Sequence, residues 1–305
     1  MSDNQQLRNS LSLQPGIFLR PPHTYSMEFK LKRNVNKNDV AEVVKKFFAR
    51  GISHSMVVGI GEPLIREVGI QMESLKPFTL LTSNDLIYPS TQAALWILLQ
   101  GQMDQHVDPG VLVDLARNVT NEIQSVFEVL VEQPAYTYRE SRDLAGFRDG
   151  TENPKDIAGA IESQSFREGT FALVQRWVHN LDALDGLSKD AIERIVGRRI
   201  PKSEVDSDSE IEDLAPDAHI NRTKQEDVGF MFRRSQAFGS RNFNGLQFIA
   251  YASDIKIFER HLNRMIGLDG PPDALAQYSK PNTGAYYFCP GSKPNGDIDS
   301  SWLIS

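Results

Sequence analysis

The stretch with the strongest chemical signal is residues 146–154, which read GFRDGTENP. Gly, Asp, Asn and Pro favour turns, so composition alone predicts a loop here. Such a loop can hold the Asp149 carboxylate towards a cavity. Glu152 and Asp156 add oxygen ligands, but their spacing does not match the pattern of a calcium loop. A structural turn and a loop that holds a carboxylate at a cavity both stay open on the residues alone.

An arginine pair and one of the six histidines are further candidates for chemistry. Arg233 and Arg234 end a predicted strand, so their side chains point to opposite faces and only one of them can enter a pocket. His219 follows a strongly acidic loop at 204–217, and imidazole both transfers protons and binds metals. Taken alone, these residues favour a surface arginine pair and a structural histidine.

Several common catalytic motifs are missing from the sequence. It contains no Gly-x-x-x-x-Gly-Lys-Ser/Thr phosphate loop, no Gly-x-Gly-x-x-Gly after a strand, and no His-Glu-x-x-His or cysteine cluster for zinc. A Ser-His-Asp triad stays open because its members need not be close in sequence, although no Gly-x-Ser-x-Gly turn is present. The 33 basic and 40 acidic residues give a net charge of −7, which argues against a nucleic-acid partner.

Cysteine content and hydropathy bear on the compartment. Cys289 is the single cysteine, so the chain cannot form an internal disulfide. Residues 1–12 are polar and lack the apolar segment of a signal peptide. The longest apolar run, 93–99, is far shorter than the roughly 20 residues that span a bilayer. We expect a cytoplasmic protein with no membrane partner.

Hydrophobic periodicity predicts an α+β fold made of two similar halves. After a flexible N-terminal arm at 1–22, the first half, 23–139, alternates strands and helices in the order βαββαβ, with one uncertain strand near residue 80. The strands are predicted at 25–31, 54–60, 79–82, 94–100 and 135–139, and the helices at 36–50 and from 108 to about 132.

The second half, 140–305, repeats this order more loosely. Its strands are predicted at 171–177, 230–234, 246–252 and 285–289, and its helices at 188–198 and 254–266. The prediction is therefore two ferredoxin-like domains with antiparallel sheets that pack against each other, and a pocket in the C-terminal half.

Taken together, these stretches resemble the dye-decolorizing peroxidase family, and the match is closest to its compact bacterial members. The pieces keep the family's order from about residue 139 to 290: RDLAGFRDGTENP (142–154), VQRWVHNL (174–181), VGR (196–198), AHINR (218–222), RRSQAFG (233–239), GLQFIAY (245–251) and KPNTGAYYF (280–288). The N-terminal half matches by pattern only. The family's fold has two ferredoxin-like domains, as the periodicity predicts.

The resemblance implies one haem b per chain, bound in the C-terminal half. His219 then corresponds to the proximal iron ligand, and Asp273 to the carboxylate that accepts its second N–H. Asp149 and Arg233 match the family's distal pair, which acts on hydrogen peroxide.

The resemblance also indicates the remaining contacts of the cofactor. Ser235 occupies a position that is Asn in some members, and Leu246 and Phe248 are expected to wall the pocket. Arg198 and the backbone of Glu152 and Asn153 are candidates for the side of the haem propionates.

The implied activity is a haem peroxidase that uses hydrogen peroxide to oxidise dyes, phenols or other one-electron donors through a ferryl intermediate. Electrons could pass through Trp177, Tyr251 or Tyr286, although we favour a core role for all three. The family implies a homodimer or higher homo-oligomer, and docking of the C-terminal tail to an encapsulating shell stays open. The main alternative is a protein that binds haem or handles its iron without peroxidase turnover. A structural or cargo protein is a third class.

Overall fold

The structure, a computed structural model, describes residues 13–50, 56–101, 108–139, 141–163, 169–200, 209–293, 297–300 and 303. Its strands in chain order are β1 (His23–Leu31), β2 (Met56–Ile60), β3 (Leu81–Ser83), β4 (Leu86–Tyr88), β5 (Leu95–Gln100), β6 (Phe127–Tyr136), β7 (Gly169–His179), β8 (Arg198–Arg199), β9 (Ser209–Glu210), β10 (Phe232–Arg233), β11 (Gln236–Gly239), β12 (Asn244–Ala252), β13 (Ser279–Pro281) and β14 (Ala285–Pro290). Its α-helices are α1 (Lys37–Phe48), α2 (Glu62–Val68), α3 (Pro109–Ile123), α4 (Ile157–Ile161), α5 (Leu181–Asp185), α6 (Lys189–Val196), α7 (His219–Arg222) and α8 (Ile255–Ile266), and 3₁₀ turns lie at Pro15–Phe18 and Ala274–Gln277.

Two four-stranded antiparallel sheets with the same internal order form the frame of the molecule. The N-terminal sheet runs β6-β1-β5-β2 and the C-terminal sheet runs β14-β7-β12-β11, which is fourth, first, third and second strand in both halves. This order confirms the predicted α+β, ferredoxin-like fold. The boundary between residues 139 and 140 stays a prediction.

The two sheets also join at both edges, so that their strand pairings form a closed ring. β11 pairs with β6 through Ala237 and Tyr136, and β14 pairs with β2 through Phe288 and Ile60. Because side chains alternate along a strand, each sheet has a helix-covered face and a face that looks towards the other sheet. The space between the sheets is filled by apolar side chains that include Val57, Trp96, Val174, Ile249, Tyr251 and Tyr287.

Side-chain caps explain where several of the helices begin. Asn36, Asp108, Ser188 and Asp254 each accept a hydrogen bond from a backbone N–H in the first turn of α1, α3, α6 and α8. Such caps satisfy donors that a helix leaves unpaired at its start. All four helices were predicted with starts within one or two residues of these positions.

Some predicted boundaries are wrong. α3 ends at Ile123 rather than near residue 132, and the following strand, β6, begins at Phe127 rather than at 135. Helical apolar spacing continues through Val126 into the strand, and no Gly or Pro marks the change. The uncertain strand near residue 80 belongs to the β3–β4 hairpin, which lies outside the main sheets. The short α2 was not predicted, although Gly69 at φ 74° ends it in the way glycines commonly do.

Residues 13–22, the second part of the predicted arm, are packed rather than loose, and residues 1–12 lie outside the described part of the chain. Gln14 is fully buried beside the narrow seam between β2 and β14. Its Nε2 donates to the carbonyls of Val58 and Pro290 at 2.8 and 2.9 Å, and its Oε1 accepts from Val58 N at 2.8 Å. One amide side chain therefore connects the two halves where strand pairing is sparse.

No helix in the described ranges combines the length and the apolar character that crossing a membrane requires.

The burial of Gln14 leads to a stability prediction. Gln14→Ala leaves Val58 and Pro290 with unpaired polar groups, and we expect the free energy of unfolding to fall by about 2–4 kcal/mol. Urea denaturation followed by circular dichroism measures this, and Gln71→Ala, at an exposed glutamine, should change it by less than about 0.5 kcal/mol. Equal effects of the two substitutions would show that the Gln14 contacts do not stabilise the seam.

Candidate active site

A large cavity lies between the C-terminal sheet and the segments that carry α7 and α8. Its volume, which includes space open to solvent, is about 1200 Å³. Its apolar lining comes from Phe147, Leu173, Trp177, Val196, Ile220, Met231, Leu246, Phe248, Leu262, Met265, Leu275 and Ala276. The predicted wall residues Leu246 and Phe248 are both part of this surface.

His219 lies on this cavity at the start of α7, and one of its nitrogens is held by a carboxylate. Its Nδ1 lies 2.6 Å from Oδ2 of Asp273, which is only 2% exposed. The other oxygen of Asp273 accepts from Leu275 N at 2.9 Å and so caps the 3₁₀ turn at Ala274–Gln277. Because Nδ1 is engaged, Nε2 is the nitrogen that remains for a ligand in the cavity.

Two opposing effects act on the pKa of His219: its burial and the neighbouring Asp273 carboxylate. Protein encloses the residue, although its side chain keeps 27% of its surface accessible because it lines the cavity. Burial disfavours the charged imidazole, but the attraction and the hydrogen bond to Asp273 outweigh it, so the pKa of His219 is raised. The Asp273 carboxylate thus increases the basicity of this ring.

Asp149 and Arg233 line the same cavity, without a hydrogen bond or ion pair joining the two described side chains. Oδ1 of Asp149 accepts from Gly150 N at 2.7 Å, which leaves Oδ2 for other partners. Nε of Arg233 is buried and has no hydrogen-bond partner among the described residues. As the strand pattern predicts, Arg234 points elsewhere: its guanidinium donates to the carbonyl of Ile17 at 2.8 Å.

Asn153 positions Arg233 instead of lining the cavity. Its Nδ2 donates to the carbonyl of Arg233 at 3.0 Å, and its Oδ1 accepts from the backbone N–H of Arg233 at 2.8 Å. This pair of bonds fixes the 146–154 loop to strand β10. The Asn153 side chain thus lies behind Arg233, while a contact of the Glu152 and Asn153 backbone with a cofactor stays a prediction.

Arg198 is on the cavity wall, but its charge is already partly compensated. Its guanidinium lies 3.2 Å from Glu152 and 3.6 Å from Glu210, and it donates to Thr151 Oγ1 at 2.5 Å. A carboxylate in the cavity would have to share this arginine with Glu152.

Ser235 lies outside the large cavity. It lines a smaller one of about 350 Å³ that also includes Asp149 and Arg233, and its buried hydroxyl has no partner among the described residues. Asp149 and Arg233 therefore stand between the two cavities.

A second histidine, which the sequence did not single out, is fixed at the cavity wall. His179 Nε2 lies 2.8 Å from Oδ2 of Asp143, and its Nδ1 lies 2.8 Å from the hydroxyl of Ser279. These are the residue types of a nucleophilic triad, but Ser279 lies in strand β13 and not on a strand-to-helix turn. The three residues are 36 and 100 positions apart, so no local signal could have found them.

His261 is the third histidine of the cavity. It is buried on α8, and its Nε2 lies 3.0 Å from the carbonyl of Gly229. Burial lowers its pKa to about 4, so this imidazole is neutral at physiological pH.

The residues present fit a haem-type cofactor. An imidazole whose second nitrogen is bound by a carboxylate is the usual arrangement of a metal-binding histidine. The cavity beside it is large and mainly apolar, as a porphyrin requires. The orphaned Nε of Arg233 provides a cationic donor where a polar ligand would bind.

Comparisons with known proteins point to one family. A family model described as Dyp-type peroxidase, C-terminal, matches residues 140–294. A dye-decolorizing peroxidase of Brevibacterium linens is 30% identical over 284 residues, which cover 85% of this chain and 75% of that protein. A dye-decolorizing peroxidase of Mycobacterium tuberculosis is 28% identical over 255 residues, which cover 77% of this chain and 73% of that protein.

Solved structures are similar over most of the chain. A dye-decolorizing protein from V. cholerae is 28% identical with a TM-score of 0.77, and the match covers 91% of this chain and 96% of that chain. A variant of DypB from Rhodococcus jostii RHA1 in complex with heme is 25% identical with a TM-score of 0.75, and the match covers 90% and 96% of the two chains.

The contacts of Asp143 lead to a prediction about acid stability. Burial raises the pKa of Asp143, but its hydrogen bonds to His179 and to Ala145 N outweigh this, so the pKa is lowered on folding. The ionised form therefore favours the folded state. This contribution is full above the unfolded pKa of about 4 and is lost as the pH falls through the lower, folded value.

We expect Asp143→Asn to be less stable than the wild type at pH 6, with a difference that shrinks below pH of about 4. Urea titrations at several pH values, with both proteins in the same cofactor state, measure this. Asp114→Asn, at a carboxylate 76% exposed, is the control and should show little difference throughout. A difference for Asp143→Asn that stays constant down to acidic pH would contradict the assignment.

Proposed function

The chain belongs to the dye-decolorizing peroxidase family, and we propose that its large cavity binds haem b with His219 as the iron ligand. The protein is a haem peroxidase that uses hydrogen peroxide to oxidise dyes, phenols or other one-electron donors. The observation that carries the site assignment is the imidazole fixed by buried Asp273 at the wall of a large apolar cavity. Because the relatives are named peroxidases, peroxidase turnover is favoured over storage of haem or handling of its iron.

The proposed haem contacts follow from the lining residues. Nε2 of His219 would hold the iron, while Asp273 would keep the proton on Nδ1 and make the ring a stronger donor. Leu246 and Phe248 would contact the porphyrin from strand β12. Arg198, beside Glu152, is our candidate for the propionate side, and burying a charged propionate requires such a partner.

The bound haem supplies the redox centre at which peroxide is reduced and from which one-electron donors are then oxidised. Oδ2 of Asp149 accepts the proton from one oxygen of hydrogen peroxide and returns it to the other, which can then leave as water. The Arg233 guanidinium, held in place by Asn153, offsets the negative charge that develops on the departing oxygen. Ser235 lies behind this pair and would bind a water molecule there.

We also propose that the protein is cytoplasmic. Cys289 is buried and is the single cysteine of the chain, which fits a reducing compartment.

We further propose that the protein forms a homodimer or higher homo-oligomer. Light scattering after size-exclusion chromatography measures this assembly. A monomer at micromolar concentration would contradict it.

The roles of Asp149 and Arg233 are tested by removing each one's function while haem stays bound. We expect Asp149→Asn and Arg233→Leu each to slow the spectral change that peroxide produces in the haem-loaded protein by about 100-fold or more. Stopped-flow absorption gives this rate, and steady-state oxidation of a phenol should fall in parallel.

Asp114→Asn and Arg241→Leu, which make the same changes at exposed positions, serve as matched controls and should react at the wild-type rate. If both cavity variants also kept that rate, the proton-transfer and charge-stabilising assignments would be wrong. Reaction with peroxide but no phenol oxidation by the wild type would instead favour the haem-handling alternative.

A further inference from the structure

A tyrosine and a glutamate form a hydrogen-bonded pair in the interior between the two sheets. The hydroxyl of Tyr287 on β14 donates to Oε2 of Glu28 on β1 at 2.5 Å. Tyr287 is fully buried and Glu28 is 2% exposed. Neither residue lines the large cavity, so the chemistry proposed above makes no use of them.

The surroundings of this pair favour proton exchange within it. Burial raises the pKa of Glu28 to about 7, although the hydrogen bond from Tyr287 and the charge of Arg176 oppose the shift. The carboxylate is therefore a much better proton acceptor than an exposed glutamate. Burial also raises the pKa of Tyr287 well above its ordinary value, so its phenol does not ionise by itself. Tyr287 can give its proton to Glu28 only when it also loses an electron.

A chain of aromatic contacts leads from this pair towards the cavity. Tyr287 stacks on Trp96 with ring centres 5.8 Å apart. Trp96 contacts Tyr251 at 6.4 Å, and Tyr251 stacks on Phe232 at 6.5 Å. Phe232 directly precedes Arg233, which lines the cavity. The ring contacts thus extend from the pair to Phe232 in the core, and the backbone of β10 separates this last ring from the cavity that Arg233 lines on the opposite face of the strand.

Two other buried tyrosines, Tyr88 and Tyr251, lack a proton acceptor of this kind. The hydroxyls of Tyr88 and Tyr251 are buried and have no hydrogen-bond partner among the described residues. Oxidation of either ring would produce a strongly acidic phenol without a nearby proton acceptor. The resulting positive charge is costly in an apolar core. Tyr287 differs because its O–H already points at a carboxylate.

We propose that Tyr287 is a redox-active residue that, together with Glu28, stores one oxidising equivalent between the two sheets. After peroxide has oxidised the haem centre, Tyr287 gives it one electron, the O–H bond breaks, and the proton passes to the Glu28 carboxylate. The haem centre is thereby reduced by one electron, and a neutral tyrosyl radical remains. One electron from an external donor and the return of the proton from Glu28 restore the phenol. This inference rests on the proposed peroxidase function.

Electron paramagnetic resonance of rapidly frozen samples tests the proposal. Haem-loaded protein mixed with peroxide should give an organic radical signal whose hyperfine structure changes when ring-deuterated tyrosine is incorporated. We expect the signal to disappear in Tyr287→Phe, which removes only the hydroxyl. It should also disappear in Glu28→Gln, which keeps a hydrogen-bond acceptor but removes the basic carboxylate.

Tyr286→Phe is the matched control, because this neighbour lies on the other face of β14 and packs against Phe78 and Phe258. Its signal should equal that of the wild type. A tyrosyl signal of full size in Tyr287→Phe or Glu28→Gln would overturn the proposal, as would a wild type that reacts with peroxide but forms no tyrosyl radical. A protein whose haem spectrum does not respond to peroxide would instead contradict the peroxidase function, and with it this inference.

Discussion

The hydrogen bond between His219 and Asp273 is the interaction on which the site depends. α7 has a single turn, too short to be stable by itself, so its position is set by contacts with the rest of the fold. Asp273 is in turn fixed by its backbone N–H, which donates to the carbonyl of Met265 at 2.9 Å, and by its cap on the following 3₁₀ turn. Asp273 thus connects three elements: α7 through His219, α8 through Met265, and the 3₁₀ turn at Ala274–Gln277 through Leu275.

Burying this carboxylate is costly unless it is paired, and His219 is the partner that compensates it. Two further carboxylates on the cavity wall are also paired with basic side chains. Asp143 pairs with His179, and Glu152 pairs with Arg198. Asn153 uses both ends of its amide on the backbone of Arg233, so the guanidinium is presented by a fixed strand end. These polar groups on the cavity wall are therefore each held by a partner, and most of the remaining wall is apolar.

The sequence contained local signals for much of the fold and fewer for the site. Helices with a side-chain cap, such as those behind Asp108 and Asp254, could be predicted because the cap and the apolar spacing lie within a few residues. The end of α3 could not be predicted, because its apolar spacing continues into β6. The chain of His179, Asp143 and Ser279 and the pair of Tyr287 with Glu28 join positions far apart in sequence, so only the folded chain reveals them.

The candidates Asp149, His219 and Arg233 could be selected from the sequence because the motifs around them resemble a known family, and the structure brings all three to one cavity. The directions of neighbouring side chains could not be predicted in this way. The Asn153 side chain lies behind Arg233, and Ser235 faces the smaller cavity. A motif indicates that a residue belongs to a site, whereas the direction of its side chain depends on the packing of distant strands.

The central claim is that the imidazole of His219, polarised by Asp273, binds the iron of a haem. Resonance Raman spectra of the reduced, haem-loaded protein test it most directly, because the iron–histidine stretching band reports the hydrogen bond at the far nitrogen. We expect a band in the wild type that moves to lower frequency in Asp273→Asn and is absent in His219→Ala. A band unchanged in His219→Ala would show that His219 does not bind the iron.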